Sequence, residues 1–257
     1  MFQEEHPIST TNTIIPPTRL DTFTDRLGFL LRRNWLLVFS FVFGLYVGLP
    51  FLAPVFMQID WQIPGKAIYL IYSFLCHQLP QRSFFLFGPQ TMYSLNEVQA
   101  NLADTTNPLV LRQFIGTPDM GWKVAWSDRM VSMYGSILVF AWLWWLLRQR
   151  IKRLPLWGFF LLLLPMAIDG SSHMVSDLAG FGQGFRYSNT WLAELTRYGL
   201  TSSFYVGNAL GSFNSWMRLL TGLLFGLAIV WLGFPFLEKF FIETHRTIKS
   251  KTYSPES

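Results

Sequence analysis

The sequence predicts an all-α integral membrane protein with about four transmembrane helices and a re-entrant or short helix at 67–87. Three observations lead there. Of the 257 residues 51% are hydrophobic and only 14% charged, with a mean hydropathy of +0.30. That is too few charges for an ordinary soluble domain and too much apolar length for a single core. The apolar residues gather into runs of roughly 20, the length that crosses a hydrocarbon core. Lys and Arg sit beside those runs, so the net charge of +5 reads as membrane topology and not as nucleic-acid binding. The lone cysteine, Cys76, excludes an internal disulfide and a thiolate metal cage.

Residues 1–33 are polar, with Pro16, Pro17 and many Thr, and read as a flexible cytoplasmic tail. Glu4, Glu5 and His6 stand where a signal peptide would carry basic residues, so none is expected. A membrane domain is expected over 34–238. Its first span runs from Trp35 to about Met57, with Arg32 and Arg33 just before it. The apolar run from Ala67 to Leu75 is shorter than a span and leads into Cys-His-Gln-Leu-Pro-Gln-Arg-Ser83, which suits a helix that does not cross. From Gly88 to about Ser127 the chain is mostly polar and reads as an extramembrane loop with a little amphipathic helix. The second span, Met130 to Leu147, ends in Trp142, Trp144 and Trp145 and then a basic cluster from Arg148 to Arg153. Pro155 opens the third span, Leu156 to Ile168. A Gly, Ser and Asn-rich loop follows over 180–215, and Trp216 to about Phe236 is the fourth span. A basic cytoplasmic tail is expected over 239–257.

Twelve of the 20 Lys and Arg fall in the two tails and the Arg148–Arg153 turn, four in each. The positive-inside rule then places both termini in the cytoplasm of a multi-pass cell-membrane protein. With segment 67–87 re-entrant, His77, Arg82, Asp128, Arg129, Asp169, His173 and Arg218 all come to the outer boundary. Asp169, His173 and Asp177 follow one another at four-residue intervals and share one face if the helix continues through Gly170. Charges at membrane depth cost about 2.5–3.5 kcal/mol each and face a partner or a cavity.

Cys76-His-Gln-Leu-Pro-Gln-Arg-Ser83, Arg129 with Tyr134, Pro165-Met-Ala-Ile-Asp-Gly170, and Asn214-Ser-Trp-Met-Arg-Leu-Leu-Thr-Gly222 followed by Gly226 together resemble the domain-of-unknown-function 2085 family of bacterial and archaeal membrane proteins. The resemblance covers roughly Cys76 to Gly226. It implies a polytopic membrane fold and a set of motif residues, with no activity attached. Relatives often carry Cys-x-Arg-Cys where this chain reads Ser127-Asp-Arg-Met130, which argues against a thiol-based metal or redox role here.

Two constellations carry candidate chemistry. Asp169, His173 and His77 are the candidates for acid/base work, and Asp169 with His173 for a divalent metal such as zinc, manganese or iron. The competing reading makes Asp169 a salt-bridge residue and His173 an interfacial histidine. Arg82, Arg129 and Arg218, with Ser83 and Tyr134, are the candidates for holding an anionic substrate, because the guanidinium fork matches phosphate and carboxylate. Asp128 and Asp177 are their expected structural partners. Cys76 beside His77 is badly placed for proton sharing, since neighbouring helical residues point about 100° apart. Gly222-x3-Gly226 has the spacing that lets helices pack closely.

Three function classes follow. One is a membrane-embedded enzyme acting on a lipid or other amphiphilic anion at an extracytoplasmic site. Another is a small carrier or ion-binding protein, with a homodimer supplying its missing half. The last is a non-catalytic subunit of a membrane complex, in which the polar residues lock the helices. An enzyme requires a pocket with unpaired polar groups, a carrier a polar route to the far side, and a lock an arginine for every aspartate with no cavity left. Membrane lipids are the expected partners in each, and nucleic acid is not.

Overall fold

The computed structural model describes residues 33–252, with side chains described from 33 to 241. The expected flexible tail, 1–33, lies almost wholly outside the described residues. In chain order the elements are helices α1 (Trp35–Gln58) and α2 (Gln62–Ser73), a 3-10 turn (Pro80–Arg82) and strand β1 (Ser83–Leu86). Short helices α3 (Leu95–Asn101) and α4 (Pro108–Leu111) and strands β2 (Gly116–Thr117) and β3 (Gly121–Ser127) lead into α5 (Asp128–Leu147) and α6 (Leu156–Asp177). Three short helices, α7 (Phe185–Ser188), α8 (Thr190–Leu195) and α9 (Ser202–Tyr205), precede α10 (Phe213–Thr252). Residues 36–239 make one compact unit; outside it, Trp35 stacks on Phe241 with ring centroids 5.6 Å apart.

Four of the described helices are long and apolar enough to cross a membrane: α1, α5, α6 and Phe213–Phe241 of α10. Their packing is the reverse of a soluble bundle. Leu37, Phe41, Val42 and Leu45 on α1, and Trp157, Phe160, Leu161 and Leu164 on α6, are all at least half exposed. Asp128, Asp169, His173 and Arg218 are buried between the helices. An apolar exterior around a polar interior is stable only where the surrounding solvent is hydrocarbon.

The helices alternate in direction. Trp122 on β3 donates through its indole N–H to the Gln58 side chain at the end of α1, 3.1 Å, and β3 runs directly into the start of α5. At the opposite end Arg148 pairs with Glu238 at 2.9 Å, and the Trp231 indole donates to the Lys152 carbonyl at 2.8 Å. The α6 helix continues through Gly170 to Asp177, nine residues beyond the expected end of its span, because Gly170 is tolerated inside a helix that is otherwise well supported. The α10 helix likewise begins at Phe213 and runs on to Thr252, through much of the segment expected as a basic tail.

Segment 67–87 does not cross. The α2 helix, about 18 Å long at 1.5 Å per residue, is too short to span hydrocarbon. It ends at Ser73 with Phe74 as its C-cap, and Pro80, which cannot donate a helical hydrogen bond, opens the 3-10 turn that follows. The chain then forms β1, which pairs antiparallel with β3, Ser83 opposite Ser127 and Phe85 opposite Lys123; β2 pairs on the other side of β3. This three-stranded sheet is an addition to the helical reading of the sequence. The β3 strand, Gly-Trp-Lys-Val-Ala-Trp-Ser, escapes a period-two search because it is covered on both faces, six of its seven residues being buried.

The sheet and its helices form a cap at the end of the bundle where α5 starts. Its larger core joins Ala53 and Met57 of α1, Ile68, Tyr69 and Tyr72 of α2, and Val124 to Trp126 of β3. A second cluster, including Leu79, Phe85, Val98, Leu111 and Phe114, fills the space under α3 and α4. The capping box at the start of α3, Ser94 accepting from the Glu97 N–H and Glu97 accepting from the Ser94 N–H, fixes that helix.

Close approach of α5 and α10 depends on the expected small-residue pair. Ser132 donates to the Leu219 carbonyl at 2.5 Å. A Cβ on Gly226 would lie 2.0 Å from the Ser136 hydroxyl oxygen and 3.1 Å from the Ile137 nitrogen. Gly226→Val is therefore expected to force the helices apart and cost about 1–3 kcal/mol, the usual penalty of overpacking. A lowered midpoint of thermal unfolding in detergent checks this, and an unchanged midpoint would refute the contact.

Candidate functional site

Two aspartates that α5 and α6 carry into the bundle organise the site. Asp128, the first residue of α5, has no measurable exposure. Its carboxylate accepts from Arg218 Nε at 2.8 Å to each oxygen and from Arg218 Nη2 at 2.7 Å, and also from the Arg129 backbone N–H at 2.8 Å. Arg218 also donates to Asn208, Nη1 to the side-chain oxygen at 2.9 Å and Nη2 to the carbonyl at 2.8 Å. The α5 and α10 helices and the loop before α10 are thereby tied together.

Asp169, 2% exposed, accepts from two arginines, Arg129 Nη2 on Oδ2 and Arg186 Nη2 on Oδ1, each at 2.6 Å. Both its oxygens are thus engaged. Arg82 and Asp177 complete the ion pairs of the site at 2.8 Å. Four guanidiniums therefore face three carboxylates. Removing one partner from a buried pair strands a charge, so Asp128→Ala is expected to cost about 3–5 kcal/mol, whereas Asp128→Leu with Arg218→Met recovers part of that loss. The remaining deficit should reflect the bonds to Asn208. Unfolding midpoints of both variants check this, and equal loss in both would refute it.

Arg186 is the member that sequence reading did not anticipate. It comes from α7, where the loop folds back over the end of α6. A Cβ at Gly184 would lie 2.1 Å from the Ser176 carbonyl oxygen, so glycine alone permits that approach. The Arg186 N–H then bonds Ser176 Oγ at 3.0 Å, and its carbonyl accepts from Asn189 at 2.8 Å and from Asn214 at 2.5 Å. The only signal in the sequence is one basic residue in the glycine- and aromatic-rich run Phe181-Gly-Gln-Gly-Phe-Arg-Tyr187.

The imidazoles have fixed tautomers. His173 Nε2 lies 3.2 Å from Arg186 Nη2, and a guanidinium can only donate, so Nε2 accepts and the proton is on Nδ1. That Nδ1 is buried with no partner among the described residues. His77 Nδ1 accepts from the Leu79 N–H at 3.0 Å, so its proton is on Nε2. His77 is exposed, yet the protein packed around it disfavours charge, and Arg82, Arg218, Arg129 and Lys123 add their repulsion; its pKa falls to about 3. The neutral ring is therefore favoured over the charged one.

The loop carrying His77 rests on Lys123. This side chain, with no measurable exposure, donates to the carbonyls of Gln78 and Arg112 at 2.8 Å each. Gln78 in turn donates to the Tyr69 carbonyl at 2.9 Å, and the Tyr69 hydroxyl donates to the Lys123 carbonyl. Burial pulls the Lys123 pKa down to about 7. Cys76 is buried in the cap, its sulfur accepting from the Gln78 N–H at 3.4 Å.

These groups surround a cavity of about 500 Å³, lined by His77, Arg82, Ser127, Arg129, His173, Asp177 and Arg218, with Met130, Met166, Met174 and Leu178 supplying apolar wall. That is the size of a small-molecule site. Of the expected site residues, His77, His173, Arg82, Arg129 and Arg218 line it together. Asp169 and Asp128 lie behind it. Ser83 is buried with its hydroxyl donating to the Leu79 carbonyl at 2.9 Å, and Tyr134 packs among Tyr46, Phe43 and Trp126, so neither reaches the cavity. Among the described residues no group of three or more His, Cys, Asp or Glu is disposed to hold a metal, and the expected pair Asp169 and His173 is turned toward arginine nitrogens.

Protonation of His77 ties stability to pH. In the unfolded chain its pKa is the ordinary 6.5 and in the fold it is about 3, so between those values the unfolded state binds more protons. Stability from this group is fully present above pH 6.5 and is lost as pH falls toward 3. Asn at 77 keeps an acceptor for the Leu79 N–H. His77→Asn should therefore flatten the acid limb of a plot of unfolding midpoint against pH, and an unaltered limb would refute the assignment.

Comparison with known proteins agrees with this architecture. A family described as "Predicted membrane protein (DUF2085)" matches residues 120–232. An uncharacterised protein of Methanocaldococcus jannaschii is 25% identical over 187 residues, covering 68% of this chain and 92% of the relative. No solved structure matches. The matched residues run from β3 through α5 and α6 into α10, and over them the chain carries the pattern of the predicted membrane proteins of the DUF2085 family.

Proposed function

We propose that the cavity binds the anionic part of a membrane amphiphile. The observation that supports this reading is the composition of its wall: three arginines and two imidazole N–H donors beside apolar Met130, Met166, Met174 and Leu178. Four arginines against three aspartates leave the cluster with a surplus positive charge. An anion neutralises that surplus, and the apolar wall accommodates the chain attached to it. Asp169 serves by aiming Arg129 and Arg186. The basic Arg148–Arg153 turn at the opposite end supports an extracytoplasmic placement of the cavity, with both termini in the cytoplasm.

The helix lock is a second reading, favoured by the arginine partner that each of Asp128, Asp169 and Asp177 possesses. It does not account for a cavity of about 500 Å³. A carrier has less support. Beyond Ser136 and Thr221 the buried contacts of α5 and α10 are apolar, Ile137, Ala141, Ala228 and Val230, and a groove at the far end is lined by Leu143, Trp144, Leu147 and Trp231.

Arg129 supplies the test, because it makes one ion pair, to an aspartate that Arg186 also holds. A short-chain anionic amphiphile should raise the unfolding midpoint of the detergent-solubilised protein, while an uncharged amphiphile of equal chain length should not. Arg129→Gln should weaken the anionic ligand about tenfold or more. Equal effects of charged and uncharged amphiphiles would refute anion binding and leave the lock.

A further inference from the structure

Resting on that reading, we infer that the ligand group is a singly charged tetrahedral oxoester, the phosphodiester being its common membrane form, held by N–H donors of His77 and His173 together with Arg129. The two imidazoles carry the argument. Each has one nitrogen committed inside the protein, His77 Nδ1 to the Leu79 N–H and His173 Nε2 to Arg186. Each therefore has a single N–H left, and neither N–H has a partner among the described residues. The His173 Nδ1 and Arg82 Nε donors are buried as well as unpaired. Buried polar hydrogens without acceptors are uncommon, and two of them on side chains that line one cavity indicate an acceptor-rich guest.

The direction of approach selects the shape of that guest. His77 belongs to the loop before the 3-10 turn, Arg129 to α5 and His173 to α6. Donors arriving from three separate elements suit a tetrahedral acceptor better than a planar carboxylate, whose lone pairs lie in one plane. Charge selects its ionisation. Arg82, Arg129, Arg186 and Arg218 exceed Asp128, Asp169 and Asp177 by one, and the neutral imidazoles add donors without adding charge. A single negative charge balances the cluster; the second charge of a phosphomonoester would be uncompensated in a poorly solvated site.

Binding to the detergent-solubilised full chain, followed calorimetrically, tests this with four probes: dihexanoylphosphatidylglycerol, dihexanoylphosphatidate, decanoate and the free diester glycerophosphoglycerol. The lipid diester should bind at least tenfold more tightly than phosphatidate or decanoate. Free diester binding as tightly as the lipid would support the same chemistry with a soluble source; weaker binding would assign the lipid. His77→Asn, which keeps the bond to the Leu79 N–H but withdraws the ring donor, should cost about tenfold in diester affinity and narrow the preference over decanoate. Charged amphiphiles that bind without preference among headgroups would overturn the oxoester inference and leave anion binding standing. Diester affinity unaltered in His77→Asn would overturn it as well. If no probe binds the parent protein, anion binding fails with it.

Discussion

Burying carboxylates inside a helical bundle whose exterior is apolar is the constraint on which the rest of this fold depends. Asp128 and Asp169 have almost no exposure, and an isolated carboxylate there would have to give up its charge or its burial. Each instead receives more than one charge-assisted hydrogen bond. Asp128 takes the single Nε–H of Arg218 between its two oxygens, with Nη2 in close ion-pair contact, and one bond from the Arg129 backbone, and Asp169 has one from each of two arginines. A buried pair stabilises little compared with an apolar replacement, but it is costly to break. Such pairs consequently act on geometry more than on total stability. They fix the rotation and depth of α5, α6 and α10, and they bring the loop around Arg186 back to the bundle.

The cap solves a related problem at the end of the bundle. A loop holding His77 and Arg82 at a fixed position needs its backbone carbonyls satisfied, and Lys123 does this from the centre of the sheet. With its pKa near 7, the side chain exchanges its third proton at little cost around neutral pH. The neutral amine still has two N–H groups, and it has two carbonyl acceptors, those of Gln78 and Arg112. A carboxylate partner is therefore unnecessary. The sheet that carries Lys123 joins α1, through Trp122 and Gln58, to the start of α5, so positions on the loop and on the helices are set by one framework.

Much of this was legible in the sequence because hydrocarbon imposes simple patterns. Apolar runs of sufficient length located the four spans, and the four-residue interval of Asp169, His173 and Asp177 located the polar face of α6. That Arg82, Arg129 and Arg218 converge followed from placing span ends on one side. Arg186 was not legible, because its arrival depends on a glycine-permitted fold-back of a loop without periodicity. The sheet was hidden for a different reason: β3 is buried on both faces, and its lysine reads as a solvent-facing residue until its carbonyl partners are known. Ser83 and Tyr134 show the converse error. A residue near functional groups in sequence can be turned away by the strand or helix that bears it, Ser83 into a loop-closing bond and Tyr134 into the aromatic cluster beneath the cap.

Ion pairing and ligand binding are often opposed explanations for charged residues at membrane depth, but under the proposed reading one arrangement serves both. If every arginine were matched by an aspartate, the cluster would be neutral and would have no reason to admit an anion. If the arginines were unmatched, they would repel one another and α5, α6 and α10 would not close around them. Three aspartates satisfy most of the four guanidiniums and hold them at fixed positions, leaving one charge without a carboxylate of its own. The imidazoles extend the donor set at no further electrostatic cost, since Arg186 and the Leu79 N–H keep each ring in a neutral, donating form. A cavity with a rigid wall, a small surplus charge and N–H groups already oriented has little ordering left to do when an anion enters, and that preorganisation distinguishes a binding site from a surface on which anions merely accumulate.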